Sequence, residues 1–158
     1  MSIQECYSLY RKPVKKFNYE QRVNFGEEQE GLVQPLLETF FQTKLYKTVD
    51  KFATFDFHDP QQILWIEVKS LQHTKNKYKQ TMIGYNKVYS GQCKIKTGRR
   101  VFLVFNFSDK VCYYDLRDGI RTSWVRQFKG IDYVYIPVSS LQDVTESSSI
   151  FLPELQTK

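Results

Sequence analysis

The order of the secondary structure elements predicts an α/β fold in which a mixed β-sheet is flanked by α-helices. A helical stretch comes first, then two strand-forming runs joined by a turn, then a second helical stretch and three further strands. This mixture is typical of a sheet with helices packed on it, and not of an all-helical or all-β protein. The chain has 158 residues, about the size of one ordinary domain, so we expect a single domain.

The first helix is predicted to begin at Asn24. Asn is a favourable N-cap, and Glu27 three residues later completes the pattern of a capping box. Apolar residues then recur on one helical face between positions 33 and 40. Pro35 removes a backbone hydrogen bond and crowds the preceding turn, so we expect a kink or a split of the helix there.

Two runs of strand formers, 52–57 and 63–69, are separated by a turn that contains Asp and Pro, and they predict a β-hairpin. Successive side chains alternate between the faces of a strand, so Glu67 and Lys69 point the same way. A short turn brings Asp56 opposite this pair. The hairpin is therefore expected to gather two carboxylates and one ammonium group.

One helix and at least three strands are predicted in the rest of the chain. Aromatic and apolar residues recur at helical spacing from Tyr78 to Tyr89, which predicts an amphipathic helix that ends near Gly91. A short additional strand is allowed after the turn at 118–119. The main strands are predicted at 101–107, 111–116 and 133–138.

The organisation along the chain follows from these elements. We expect a basic N-terminal arm or short helix over about 1–23, a core over about 24–110, and C-terminal strands and a tail over 111–158. The three cysteines are widely spaced and match no zinc pattern, which favours a reduced intracellular compartment. No segment has the roughly twenty apolar residues that cross a bilayer, and no signal peptide is recognised, so we expect a protein that is not secreted.

The formal net charge of +6 favours a polyanionic partner, because clustered Lys and Arg attract nucleic acid. Many basic proteins bind no nucleic acid, so the net charge alone does not identify a function. The prediction of function therefore depends on the charged residues of the hairpin. Burying Glu67 and Lys69 in an aromatic and β-branched strand is costly unless each charge meets a partner or a metal ion. Mg²⁺ takes one or two carboxylates and completes its shell with water and substrate phosphates, which suits phosphodiester cleavage.

Asp56, a turn, and then Ile66-Glu67-Val68-Lys69 resemble the D…(D/E)xK signature of the PD-(D/E)XK nuclease superfamily, which includes restriction enzymes and archaeal Holliday-junction resolvases. Phe55 stands where the motif has Pro, a residue that is often replaced in the superfamily. The resemblance covers about residues 26–107 and implies a restriction-endonuclease-like sheet flanked by helices. It also implies a Mg²⁺-dependent endonuclease, with Mn²⁺ able to substitute, that cleaves DNA to 5′-phosphate and 3′-hydroxyl ends.

The resemblance also implies roles for individual residues. Asp56 and Glu67 would bind Mg²⁺, and the backbone carbonyl of Val68 is a further candidate ligand. Lys69 would orient or help to deprotonate the attacking water and stabilise charge on the phosphate.

The family often adds a glutamate from the first helix. Helical phase places Glu30 within the apolar arc of that helix, whereas Glu28 and Glu38 lie well away from it. Glu30 is therefore chosen as a fourth catalytic and metal-site residue. Residues in the positions where related nucleases contact substrate, together with a later basic pair, are expected to bind nucleic acid: Gln72, Lys75, Lys77, Lys79, Gln80, Arg99 and Arg100. For each basic group taken alone, a position in a solvent-exposed loop is as good an explanation as nucleic-acid binding.

Other groups have simpler explanations. His58 and His73 are favoured as turn and loop residues over acid–base groups, and Asp59 is favoured as a turn residue over a metal ligand. Trp65 and Trp124 are favoured as core residues over base-stacking platforms.

The leading hypothesis is therefore a Mg²⁺-dependent endonuclease that acts on DNA as a homodimer or larger homo-oligomer, with RNA as the other candidate substrate. One alternative is a non-catalytic nucleic-acid-binding module that keeps the nuclease fold. Another is a structural or protein-interaction domain whose charges serve only solubility.

Overall fold

The computed structural model describes residues 18–49, 54–144 and 149–156, which form two α-helices, two β-sheets and several short 3₁₀ helices. The α-helices are α1 (Tyr19–Phe41) and α2 (Tyr85–Lys96). The strands are β1 (Tyr46–Lys47), β2 (Phe57–His58), β3 (Leu64–Ser70), β4 (Gln80–Gly84), β5 (Arg100–Asn106), β6 (Val111–Asp115), β7 (Val125–Phe128), β8 (Ile131–Pro137) and β9 (Gln142–Asp143). The 3₁₀ helices are Lys75–Lys77, Leu116–Asp118, Thr122–Trp124, Val138–Ser140 and Pro153–Leu155.

The larger sheet has six strands in the order β1-β2-β3-β5-β6-β9. Strand β3 pairs parallel with β5 and antiparallel with β2, so the sheet is mixed. A smaller antiparallel sheet has the order β4-β8-β7. The predicted fold class, a mixed sheet flanked by helices, is confirmed.

The two faces of the larger sheet belong to two separate hydrophobic clusters. On one face, Leu64, Ile66 and Val68 pack in one cluster with the buried face of α1. On the other face, residues of β5 such as Leu103 cluster with α2 and with the smaller sheet. Strand β5 is buried along its whole length, as expected for a central strand that is covered on both sides.

Helix α1 begins earlier than the sequence pattern predicted. The backbone N–H of Gln21 donates to Asn18 Oδ1 at 2.8 Å, and the N–H of Asn18 donates back to Gln21 Oε1 at 3.0 Å. This capping box replaces the predicted one at Asn24, which lies inside the helix. A kink or a split was predicted at Pro35, and the split is wrong, because α1 continues through this residue to Phe41. Apolar residues on both sides of Pro35 are buried against the sheet and hold the two halves in one helix.

The turn of the hairpin is stabilised by the side chain of Asp59, as its turn chemistry predicted. Its Oδ1 accepts from the backbone N–H groups of Ile63 at 2.7 Å and Leu64 at 2.8 Å. The strand before the turn is shorter than predicted: only Phe57–His58 is a strand, and residues 52 and 53 lie outside the described residues. His58 therefore lies in β2 and not in the turn.

The second helical prediction is wrong over its first half. Tyr78 lies outside any regular element, and β4 occupies Gln80–Gly84 by pairing with β8. Helix α2 starts only at Tyr85 and continues past Gly91 to Lys96. The aromatic spacing that predicted the helix therefore runs across a strand and a helix. Alternate side chains of β4 are buried, which is the pattern of a strand with one face towards the core. Pairing with β8 therefore outweighs the helical spacing of the aromatic residues.

The remaining strand predictions are confirmed within one or two residues by β5, β6 and β8, and β7 is the short strand allowed after the turn at 118–119. Residues 1–17 of the predicted basic arm, and 145–148 and 157–158 of the tail, lie outside the described residues. Residues 18–23 of that arm form the N-cap and first turn of α1. Within the described part of the chain, no helix is both long enough and apolar enough to span a bilayer.

Candidate active site

Asp56 lies directly before β2, across from Glu67 on β3. The antiparallel register pairs Phe57 with Ile66, so the preceding residue Asp56 faces Glu67. Two hydrogen bonds fix this arrangement: Asp56 N donates to Ile66 O at 2.9 Å, and Val68 N donates to Asp56 Oδ2 at 2.7 Å. The juxtaposition expected from the hairpin is present, while the roles of the two carboxylates stay a prediction.

Burial makes both carboxylates harder to ionise. Glu67 is only 9% exposed, and burial followed by repulsion from Asp56 raises its pKa to about 8, against attraction from Lys87. Burial also raises the pKa of Asp56, whereas the N–H donated by Val68 lowers it. Two adjacent carboxyl groups that resist ionisation form a site where a bound cation would relieve the electrostatic cost.

Glu30 reaches the same cluster from α1. Its side chain is 16% exposed and its Oε2 lies 3.5 Å from Lys47 Nζ. Burial, and then repulsion from Asp56, raises the pKa of Glu30 to about 7, while Lys47 lowers it. The charge of Asp56 raises the pKa of both Glu30 and Glu67, so the three carboxyl groups are electrostatic neighbours. Helical phase thus selected the glutamate of α1 that lies beside Asp56.

Lys69 extends from the same face of β3 as Glu67. Its Nζ donates to the backbone carbonyl of Met82 on β4. Burial lowers the pKa of Lys69, and the charge of Glu67 raises it. Lys69 is therefore near the carboxylates, as expected, but its ammonium group is bound to the smaller sheet.

Lys87 is a site residue that the sequence interpretation did not select. It lies in the first turn of α2, with its Nζ 3.2 Å from Glu67 Oε1 and donating to Thr54 O at 2.6 Å. The signal was obscured because the helix was predicted to start near Tyr78. A helix that starts at Tyr85 would have placed Lys87 in its first turn, at the end of β4.

The donor set fits one magnesium ion held by two carboxylates. Among the described residues, no group of three or more His, Cys, Asp or Glu side chains is arranged to hold a metal ion. Mg²⁺ commonly uses one or two protein carboxylates and keeps several waters, so Asp56 and Glu67 would suffice as protein ligands. The role of Glu30 as a further ligand stays a prediction.

Comparison with known proteins gives a similarity to a solved structure. No family model and no curated protein matches this chain. Among solved structures, the chain is similar to Hjc, a Holliday junction resolvase from Archaeoglobus fulgidus, with 13% identity and a TM-score of 0.46. The match covers 74% of this chain and 96% of that one. At this identity and TM-score, the similarity leaves the function to be inferred from the side chains of this chain.

Arg100 is wrongly placed among the expected nucleic-acid contacts. Its side chain is only 5% exposed, and its guanidinium group pairs with Asp115 at 2.7 Å and with Glu154 at 3.1 Å. A guanidinium that is buried and already paired with two carboxylates is out of reach of a phosphate at the protein surface. Arg100 instead connects β5 to β6 and to the C-terminal segment.

The other expected contacts fall into two groups. Lys75 has a structural partner, because its Nζ pairs with Asp143 at 2.8 Å and its side chain is only 16% exposed. Gln80 lies in β4, where its Oε1 accepts from Arg126. The remaining four side chains are exposed and stay candidates for nucleic-acid binding: Gln72, Lys77, Lys79 and Arg99.

Proposed function

We propose that this protein is a metal-dependent nuclease that hydrolyses DNA phosphodiester bonds, with Asp56 and Glu67 as the Mg²⁺ ligands. The main support is the pair of buried carboxyl groups held opposite each other by the β2–β3 register, both with raised pKa values. Such a pair is expensive to keep in a folded protein without a cation. Mn²⁺ is expected to substitute for Mg²⁺, because both prefer carboxylate and water ligands.

The residues around the two proposed ligands also have proposed tasks, and Glu30 is proposed as a further metal-site carboxylate beside Asp56. The N–H of Val68 orients the Asp56 carboxylate, and the carbonyl of Val68 is a candidate third ligand. When bound, the divalent ion polarises the phosphate, lowers the pKa of the attacking water and offsets charge on the leaving oxygen. Lys69 has a lowered pKa, which favours its role in orienting the water and taking its proton. The products are a 5′-phosphate and a 3′-hydroxyl.

The basic charge of the chain supports DNA as the substrate, with RNA as the second nucleic acid to test. Cutting both strands of a duplex commonly takes two active sites. We therefore propose a homodimer or larger homo-oligomer.

The test is a cleavage assay with labelled linear, branched and single-stranded DNA, in Mg²⁺, Mn²⁺ or EDTA. We expect cleavage only with a divalent ion, and a loss of at least about 100-fold in Asp56→Asn, Glu67→Gln and Lys69→Ala, the usual scale for losing an acid–base or charge-stabilising group. Glu28→Gln is the matched control, because Glu28 is an exposed carboxylate of α1 outside the site. Equal cleavage by the wild type and the three site variants would exclude this assignment.

A non-catalytic nucleic-acid-binding module is the second candidate function. It is favoured by one feature: Lys87 and Lys47 already pair with Glu67 and Glu30, so part of the charge is compensated without a metal ion. Thermal unfolding with Mg²⁺ or Mn²⁺ separates the two, because a ligand specific for the native state must stabilise it. DNA binding with no metal-induced shift in Tm would favour the binding module.

A further inference from the structure

A pocket of about 580 Å³ lies beside the carboxylate pair, between the hairpin and α2. Thr54 and Phe55, which line it, directly precede Asp56. Trp65, another lining residue, is on β3 two positions before Glu67 and on the same face. The pocket and the carboxylates therefore share two segments of chain, and a ligand that fills one lies next to the other.

The lining of this pocket combines aromatic rings with cations. Phe55, Trp65 and Tyr89 contribute rings, and Tyr89 is 59% exposed. Lys94 and Arg99 contribute positive charge, and no carboxylate is among the lining residues. Lys94 Nζ lies 3.8 Å from the centre of the Trp65 ring and 5.6 Å from that of Phe55. Rings for stacking and cations for phosphate are the two components with which proteins bind single-stranded nucleic acid.

Two further features of the pocket fit an anionic and polar ligand. Thr48 Oγ1 is buried and has no hydrogen-bond partner among the described residues, although Thr48 lines the pocket. Burial, and then the nearby positive charge of Arg99, lowers the pKa of Lys94. An unmatched hydroxyl and two cations without a lining carboxylate are a poor match for an apolar ligand and a good match for a nucleotide.

A row of rings continues from the pocket across the edge of the sheet. Trp65 lies opposite His58, with ring centres 5.1 Å apart, and His58 lies opposite Tyr46, with ring centres 6.0 Å apart and planes at 27°. Lys44 Nζ is 5.4 Å from the ring of Tyr46, so a cation lies at each end of the row. The row is next to the Asp56–Glu67 pair in the strand register.

We propose that the pocket binds one unpaired nucleotide next to the candidate active site, with its base against Trp65 and Tyr89 and its phosphate at Lys94 and Arg99. A base within a duplex has both faces covered by its neighbours, and it must leave the stack to enter a pocket of this kind. The proposal rests on one part of the proposed function, the binding of nucleic acid, and does not require that the protein cleaves it. It assigns the substrate class: DNA that carries unpaired nucleotides beside the bond to be cut.

The test measures binding of two labelled DNAs by fluorescence anisotropy in EDTA, so that no strand is cut. One DNA is a blunt duplex, and the other is the same duplex with a short single-stranded extension. We expect the wild type to prefer the extended DNA by at least about fivefold, the effect of one stacking contact. Tyr89→Leu and Lys94→Gln should lose this preference with little change in binding to the blunt duplex. Lys96→Gln is the matched control, since Lys96 is an exposed lysine of α2 outside the pocket.

Each outcome decides the proposal separately from the nuclease assignment. A preference that disappears in Tyr89→Leu and Lys94→Gln but persists in Lys96→Gln supports the pocket, even if no cleavage is found. Equal affinity of the wild type for both DNAs, or equal weakening of both by Lys94→Gln, overturns it even if cleavage with Mg²⁺ is found. Lack of binding to either DNA overturns it as well.

Discussion

Glu67 is expected to lower the free energy of unfolding of the metal-free protein as pH rises. The substitution Glu67→Gln should remove most of this pH dependence. The pKa of Glu67 is raised from 4.5 to about 8, chiefly by burial. A carboxyl whose pKa is higher in the folded than in the unfolded state keeps its proton more readily when folded. Its stabilising contribution is therefore complete below pH 4.5 and is lost as pH rises through about 8.

The size of the effect follows from the same two pKa values. At about 1.4 kcal/mol per pH unit, the interval from 4.5 to about 8 corresponds to at most about 5 kcal/mol. The Glu67 side chain is 11% exposed, so solvent screens little of this cost, and the attraction of Lys87 is already contained in the pKa. Domains are commonly stable by about 5–15 kcal/mol, so the loss is a large fraction of the total. Glu30, with its pKa raised to about 7, acts in the same direction.

The assay is denaturant unfolding between pH 5 and pH 9 in EDTA, for the wild type, Glu67→Gln and the exposed control Glu28→Gln. We expect the free energy of unfolding of the wild type and the control to fall by several kcal/mol over this range, and that of Glu67→Gln to fall much less. Mg²⁺ added at pH 8 should restore stability to the wild type, because it binds only the folded site. Parallel curves for the wild type and Glu67→Gln would refute the electrostatic account of this site.

Three further variants test other parts of the structure. Lys87→Gln removes the ammonium 3.2 Å from Glu67 Oε1, so Mg²⁺ should bind more tightly in calorimetry; weaker binding would mean that Lys87 holds the carboxylate in place. Arg100→Ala leaves the carboxylates of Asp115 and Glu154 without their buried partner and should cost about 3–5 kcal/mol in denaturant unfolding, whereas a cost near zero would contradict the burial argument. Asn18→Ala removes the cap of α1 and should cost about 1 kcal/mol; an unchanged Tm would exclude the cap at that position.

The carboxylate pair could be predicted because it depends on local structure. Asp56 and Glu67 are joined by one turn, and the register of a hairpin is set by its turn and by which side chains must be buried. Glu30 followed from helical phase, which survives a wrong helix start because α1 is continuous across both Asn24 and Pro35. The capping-box pattern selected Asn24 as the N-cap of α1, whereas the helix is capped at Asn18.

The predictions that were wrong concern contacts between distant parts of the chain. Arg100 meets Asp115 across β5 and β6 and Glu154 near the C-terminus, and neither partner is visible from a basic pair at positions 99–100. The strand β4 exists because β8, about fifty residues later, pairs with it, so local spacing could not exclude a helix there. The wrong helix start then concealed Lys87.

The contrast between local structure and contacts of distant segments also explains how charge is distributed in the site. The acids come from one hairpin and one helix face, whereas Lys87 comes from α2, which lies in the chain between β3 and its parallel partner β5. The hairpin alone would therefore hold two adjacent carboxyl groups with Lys69 as the one cation that the hairpin itself supplies beside them. Lys87 approaches from α2, and Lys69 extends from β3 itself but donates to the carbonyl of Met82 on β4. Neither lysine fully compensates the acids, since the pKa of Glu67 stays near 8 with both present. The uncompensated charge that remains is what a divalent ion would meet, and it is the physical reason to expect metal binding at Asp56 and Glu67.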